Sequence, residues 1–224
     1  MIIATKIKPT FLIEKELGGI VAGIDEAGRG PLSGPVVAAC LILNYHIYPA
    51  GLNDSKKLSD ALRKRLDAII KSTCLGWGVA EISPIMIDQK GITFANKRAM
   101  ELAAEKAIKM ANLTSVDLYV IDQSPCKSLH PHIMMPKADS TSASVAAASI
   151  LAKNHRDSII EDLSDKFPEY KFNEHNGYIN KLHVELVNKY GLIENVHRKS
   201  FSVSGFNKPK QISMMEMIND NTNN

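Results

Sequence analysis

Cysteine is scarce in this chain: Cys40, Cys74 and Cys126 are the only three, and none forms a Cys-x-x-Cys pair. An odd count without a spacing framework argues against a disulfide scaffold and for a reducing compartment, and Cys40, inside an apolar run, reads as core. Cys/His spacing of the kind that binds zinc is missing too. No apolar stretch is long enough to span a membrane. The first residues, where Lys6, Lys8 and Pro9 interrupt short apolar runs, lack the core of a signal peptide. Cytoplasmic location and no membrane partner are therefore the expectations. No Gly-Lys-Ser or Gly-Lys-Thr closes a glycine-rich loop, which removes the lysine an ATPase loop requires. Internal repeats are absent. Charge of one sign is not in large excess: 27 basic against 24 acidic side chains leave +3, too mild to prove a nucleic-acid partner alone.

What is present is an ordinary globular composition, with 45% hydrophobic and 23% charged residues in a 224-residue chain. That length fits one large domain, or a domain with a small appendage. Two basic groups stand out locally: Lys56, Lys57, Arg63, Lys64 and Arg65, then His197, Arg198, Lys199, Lys208 and Lys210. Each is equally compatible with a solvated face.

Apolar runs at residues 21–24, 35–42, 77–82, 116–122 and 132–135 predict five strands. Ser59 caps a predicted helix to about Lys71, with Leu62, Leu66, Ile69 and Ile70 on one face. Ser83-Pro84 and Thr93 are helix starts, the second opening a stripe of Ala95, Ala99, Leu102 and Ala103. A small-residue helix begins near Ser142 and stops before Phe167-Pro168. The last clear helix covers residues 180–190, ended by Gly191. Strands in a meander, followed by alternating helices and strands, predict a mixed sheet with helices on its faces, and the pattern alone supports only the α/β class.

The string GIDEAGRGP at residues 23–31 carries the chemistry. Asp25 and Glu26 end an apolar strand, where a carboxylate pair is costly unless a cation neutralises it. Gly28 and Gly30 let a ligand approach the backbone, and Arg29 offers a fork suited to phosphate. A solvated polar turn is the bland alternative. Asp122 closes the fourth strand, and Asp139 follows the fifth. Four acids delivered to sheet ends can converge on one oxygen-rich site, the kind that Mg²⁺ or Mn²⁺ prefers. Two such ions ~3.5–4 Å apart can serve an in-line displacement. Asp117 and Asp157 are competing acids, the first expected on the opposite sheet face from Asp122.

The longer string GIDEAGRGPLSGPVVAA resembles the signature of the ribonuclease HII family in its bacterial form. LNDSKKLS (52–59), ASILAKNHRD (148–157) and HRKSF (197–201) match the family in order. The resemblance implies a ribonuclease H-like fold, with a central mixed β-sheet flanked by helices and a helical C-terminal segment. It implies a catalytic domain over residues 19–207, after a lead-in (1–18) and before a flexible tail (208–224). Asp25, Glu26, Asp122 and Asp139 match the family's catalytic, metal-holding acids. Gly28, Arg29 and Gly30 match the turn that reads the ribose 2′-hydroxyl, and Tyr178 the ring that packs on the next sugar. Lys56, Lys57, Ser149, Lys153 and Arg156 match positions near the nucleic-acid backbone. His183, His197 and Arg198 also match, with structural roles equally open. The pattern departs at Gln123, Ala138, Asn176, Ile179 and Asn180. The implied activity is metal-dependent cleavage of the RNA strand of RNA–DNA hybrids and of DNA duplexes containing ribonucleotides, in ribonucleotide removal and primer processing. A monomer is implied, and residues 211–218 faintly resemble a sliding-clamp peptide. The 24 residues before Asp25 are too few for the extra domain of the sister type, ribonuclease HIII. A non-catalytic junction-binding module and a resolvase or transposase of the same broad fold are the other readings.

Overall fold

A computed structural model describes residues 9–122, 124–205 and the backbone of 211–212. Two compact units divide the chain: the first takes residues up to 27, 37–81 and 96–155, the second 28–36, 82–95 and 156 onward. The N-terminal residues 1–8, and residues 213–224 with most of the clamp-like peptide, lie outside the described residues.

The first unit is built on a five-stranded sheet ordered β3-β2-β1-β4-β5: β1 (Val21–Ala27), β2 (Val36–Ile42), β3 (Gly76–Ile82), β4 (Leu118–Ile121) and β5 (His132–Met134). β1 runs antiparallel to β2 and parallel to β4, and β4 runs parallel to β5, so the sheet is mixed as the pattern predicts. Pairing with β2 carries β1 past Ile24 through Asp25, Glu26 and Ala27, which stand opposite Ala39, Ala38 and Val37. β4 is shorter than predicted. Ahead of it Asp117 accepts the Ile20 amide at 2.7 Å, and just past it the Asp122 amide donates to Ile24 O at 3.3 Å.

Helices cover the sheet through small residues. Those of the first unit are α1 (Leu12–Leu17), α2 (Asp60–Thr73) and parts of two longer ones. α3 (Pro84–Lys90), capped by Ser83, ends at Gly91, so α4 (Ile92–Met110) starts at once and Thr93 lies inside its first turn, not before it. Ala99, Ala103 and Ala107 of α4 are buried, and Ala103 O lies 2.1 Å from where a Cβ would stand on Gly78. Only glycine permits that contact. α5 (Ala143–Lys166) is buried all round along residues 143–152, which is why it shows no amphipathic period. A Cβ on Gly23 would fall 2.3 Å from the Ser144 carbonyl carbon, so α5 presses directly on β1.

One local expectation fails. In α2 the buried stripe is Arg63, Leu66 and Ile70, while Leu62 is exposed. Arg63 takes the inner position because its stem packs while its guanidinium donates to Leu58 O at 3.0 Å and pairs with Asp60. The lead-in also holds an unforeseen anchor. Glu14 of α1, fully buried, accepts from Ser142 Oγ (2.6 Å), Ser144 N (2.9 Å) and Ser144 Oγ (2.7 Å) at the N-terminus of α5, where a carboxylate is favoured.

The second unit packs Leu32, Ile160, Leu163, Phe167, Tyr170 and Phe172 with Val187, Ile193 and Val196. α6 (Phe172–His175) and α7 (Lys181–Tyr190) follow in it, α7 capped by Asn180 and stopped at Gly191 as predicted. Tyr170 buries its ring against Phe172 and donates to Gly191 O at 2.8 Å. β6 (Leu192–Ile193) pairs in parallel with β7 (Gln211–Ile212).

Candidate active site

The acids gather in the first unit. Asp25 sits on β1 beside β4, just past whose end lies Asp122, while Asp139 lies in the short 3-10 turn Ala138–Ser140 leading into α5. Asp25, Asp122 and Asp139 are 8%, 9% and 5% exposed, unusually dry for carboxylates. Asp25, Glu26 and Asp122 each have a donor nearby. Glu26 N donates to Asp25 Oδ1 at 2.8 Å, and the Ser149 hydroxyl also bonds the Asp25 side chain. Ser124 Oγ donates to Glu26 Oε1 at 3.1 Å, and Ala138 N to Asp122 Oδ1 at 3.3 Å.

These donors do not offset the crowding. Burial, then the Glu26 carboxylate, hold the Asp25 pKa well above the usual range, with Asp122 adding to the rise. Asp139 is also raised, by burial first and then by Asp54 and Asp122, against a lowering from Lys56 and Lys57. Buried acids that repel one another gain most from a cation, and an all-oxygen donor set suits a hard divalent ion. Among the described residues no three His, Cys, Asp or Glu side chains close on one point by themselves. The competing acids lie elsewhere: Asp117 holds Ile20 at the far end of β4, and Asp157, in the second unit, acts on Arg156.

Sequence reasoning missed Asp54. It stands in the LNDSKKLS string, caps the 3-10 turn Ser55–Lys57, pairs with Lys57 at 3.2 Å and weighs on Asp139. An acid followed by two lysines reads as surface charge, so nothing local marked it. Lys56 and Lys57 are exposed and Lys153 is half-buried, but Ser149 is buried and bonded to Ser55 Oγ at 2.8 Å as well as to Asp25. Ala138, where the family pattern has glycine, keeps right-handed geometry because Lys137 takes the left-handed turn (φ 60°), and its methyl packs with Val21, Val120 and Val145.

The glycine–arginine–glycine turn and Tyr178 belong to the second unit. Gly28 needs its positive φ of 84°, and a Cβ there would meet Arg156 Nε at 2.5 Å and Pro35 O at 2.7 Å. Arg29 and Gly30 are exposed. Behind the turn, fully buried Arg198 donates to Gly34 O (2.9 and 2.8 Å), Arg29 O (3.0 Å) and Gly28 O (2.5 Å). Arg156 is buried as well, donating to Asn176 O at 2.8 Å with its guanidinium 5.6 Å from the ring centre of Tyr178. Tyr178 is half exposed. Its segment is tied to the turn's own strand of chain, since Leu32 N and Ser33 N both donate to Gly177 O (2.9 and 3.2 Å).

Three buried histidines underlie Tyr178. His183 Nδ1 meets Tyr178 O at 2.9 Å and so carries the proton, leaving Nε2 to accept. His197 Nδ1 accepts from Ile193 N (2.9 Å), so its Nε2 donates to His183 Nε2 at 3.3 Å. His175 accepts from Gly177 N at 3.2 Å and donates to Tyr170 O at 2.9 Å. All three tautomers are compatible with neutral rings. Burial pushes His183 down to about 4 and His197 to about 3, and lowers His175.

The ribonuclease HII family model matches residues 22–204. Ribonuclease HII of Bacillus thuringiensis (strain Al Hakam) is 44% identical over 183 residues, 81% of this chain and 68% of that protein. The fold is similar to that in the PCNA:RNase HII complex from Archaeoglobus fulgidus, with TM-score 0.67 and 26% identity over 83% of this chain and 96% of that one. Bst-RNase HIII, solved in complex with Mn²⁺, shares the fold at TM-score 0.63 and 22% identity over 87% of this chain and 71% of its own. On the extent of these matches, the chain belongs to the ribonuclease HII family, endonucleases with ribonuclease H activity on RNA–DNA hybrids.

Proposed function

We propose that this protein cuts 5′ of ribonucleotides embedded in duplex DNA as well as within longer hybrids, with Asp25, Glu26, Asp122 and Asp139 holding Mg²⁺ or Mn²⁺. The observation that carries this reading is the cluster of dry carboxylates, in which burial and neighbouring acids raise Asp25 and Asp139. The Mn²⁺ in the HIII structure supports the choice of ion class. A divalent ion supplies Lewis acidity and neutralises charge at the reacting phosphodiester. The protein's own part is to hold the acceptors still: Ser149 and Glu26 N fix Asp25, Ser124 fixes Glu26, and Ala138 N fixes Asp122. Water attacks the phosphorus 5′ of the ribonucleotide and the bond to the preceding 3′ oxygen breaks. The products are a 3′-hydroxyl and a 5′-phosphate on the ribonucleotide. Positioning and electrostatics supply the rate, with no covalent nucleophile.

In this reading the backbone of Gly28, Arg29 and Gly30 reads the ribose, and Tyr178 stacks on the following sugar. Lys56, Lys57 and Lys153 meet phosphates. Ser149 and Arg156, both buried, act by supporting Asp25 and the Tyr178 segment. The archaeal complex with PCNA supports a protein partner of that kind for this chain. The test is a DNA duplex with one internal ribonucleotide, incubated with each metal and with EDTA. Wild type gives one metal-dependent cut at the ribonucleotide, and Asp25→Asn loses at least about a thousandfold in rate while keeping its circular dichroism. Near-normal turnover by Asp25→Asn, or no cut in either metal, removes the proposal.

A further inference from the structure

Arg198 spends its whole guanidinium on main-chain carbonyls. Nε and Nη2 donate to Gly34 O, Nη1 to Arg29 O and Nη2 to Gly28 O, all within the second unit. The side chain is fully buried, and no carboxylate among the described residues lies within ion-pair distance of it. A lysine ammonium, a single point with three donors, cannot span three carbonyls in this way.

The consequence follows from peptide geometry. In a planar trans peptide the C=O and the N–H point in opposite directions. Gly28 C=O shares its peptide with Arg29 N–H, and Arg29 C=O shares its peptide with Gly30 N–H. Drawing both carbonyls back onto Arg198 therefore turns both N–H groups away from it. Arg29 and Gly30 are the exposed residues of the turn, and the space where a Gly30 side chain would stand is open, with no atom within 4 Å. Gly28, blocked at its Cβ position by Arg156 and Pro35, holds the other end of the turn in place. Successive N–H groups offered from one turn form an acceptor-binding concavity.

We infer that Arg198 is a positioning residue for ribose recognition: by gripping the carbonyls of Gly28 and Arg29 it aims the Arg29 and Gly30 amides as a donor pair at the 2′-oxygen of a bound ribonucleotide. The inference rests on the proposed function and adds to it the residue that sets the direction of the reading groups. Such a donor pair could equally serve a phosphate oxygen, and the two sources separate experimentally, because a phosphate is present in every duplex and a 2′-hydroxyl is not.

The test measures binding in the cleavage-deficient Asp25→Asn protein, by fluorescence anisotropy, to a duplex with one ribonucleotide and to the same duplex in all-DNA form. Arg198→Lys is expected to reduce the preference for the ribonucleotide duplex by about tenfold, the worth of one hydrogen bond, while the all-DNA affinity moves less than about threefold. A merely structural residue would weaken both equally, and a phosphate-binding turn would lose both. Either result, or a preference that survives Arg198→Lys, overturns the inference and leaves the proposed function standing. A parent that binds both duplexes alike, with a wild type that leaves the ribonucleotide uncut, overturns both. A measurement on folded Asp25→Asn protein stands beside the variant. Its Arg29 and Gly30 amide resonances are expected to shift with the ribonucleotide duplex and not with DNA, and equal shifts with both, or none with either, also overturn the inference.

Discussion

Asp25 shows how a single carboxylate can be held by two donors and still be burdened by its surroundings. Its folded pKa lies above its unfolded value because burial and Glu26 outweigh the Ser149 and Glu26 amide bonds. A raised acid contributes stability that is fully present below its unfolded pKa, near 3.9, and is lost as pH rises through the folded value. At pH 7.5 in EDTA the charged form is therefore a burden. Asp25→Asn, which keeps the acceptor for Glu26 N and removes the charge, is expected to melt higher than wild type by a few degrees, equivalent to about 1–2 kcal/mol. The gain should shrink as pH is lowered toward 4, and calorimetry across that range checks it. A variant less stable than wild type at pH 7.5 in EDTA contradicts the crowding. The sequence announced this residue by its position in a long string. It could not announce Asp54, whose influence on Asp139 exists only once the Ser55–Lys57 turn is folded.

The element beneath Tyr178 responds to acid in the opposite sense. Burial pushes His183 down to about 4 and His197 down to about 3, below an ordinary 6.5. A depressed group contributes stability that is present above its unfolded pKa and lost as pH falls toward its folded one. The unfolding free energy from urea titrations in the Asp25→Asn background should fall steadily from pH 7 to pH 4.5, by up to about 1.4 kcal/mol per pH unit for each ring. A free energy flat over that range would show that the rings are not held neutral. At this scale the sequence was legible where chemistry is local. Ser59, Ser83, Asn180 and Gly191 mark helix ends in the fold as in the sequence. It was illegible where the cause is remote: Arg63 displaces Leu62 from the buried stripe because a carbonyl five residues back accepts its proton.

For the whole molecule the formal charge of +3 hides a local concentration of positive charge, since the exposed Lys56 and Lys57 act on Asp139. Each phosphate contact adds ~0.9 to the slope of log K against log salt. Replacing both lysines by alanine is expected to lower that slope by about 1–2, alike for ribonucleotide-containing and all-DNA duplexes, as anisotropy titrations from 50 to 200 mM salt would reveal. A slope unchanged within error removes them from the interface. The mixed sheet and its helices were readable from strand and helix periods. The division into two compact units was not, because each unit is assembled from stretches far apart in sequence.

Gly23 and Ser149 together act as a vernier. The bare α-carbon of Gly23 lies against Ser144, and two residues further along β1 Asp25 meets Ser149, five residues further along α5. Two strand residues advance about 6.6 Å and five helical residues about 7.5 Å, so the two scales nearly coincide over this interval and then run out of step. Helix and strand are thus pinned at two marks and travel in the same sense between them. A one-residue deletion in 145–148 would carry Ser149 about 100° around the helix, away from the acid it steadies.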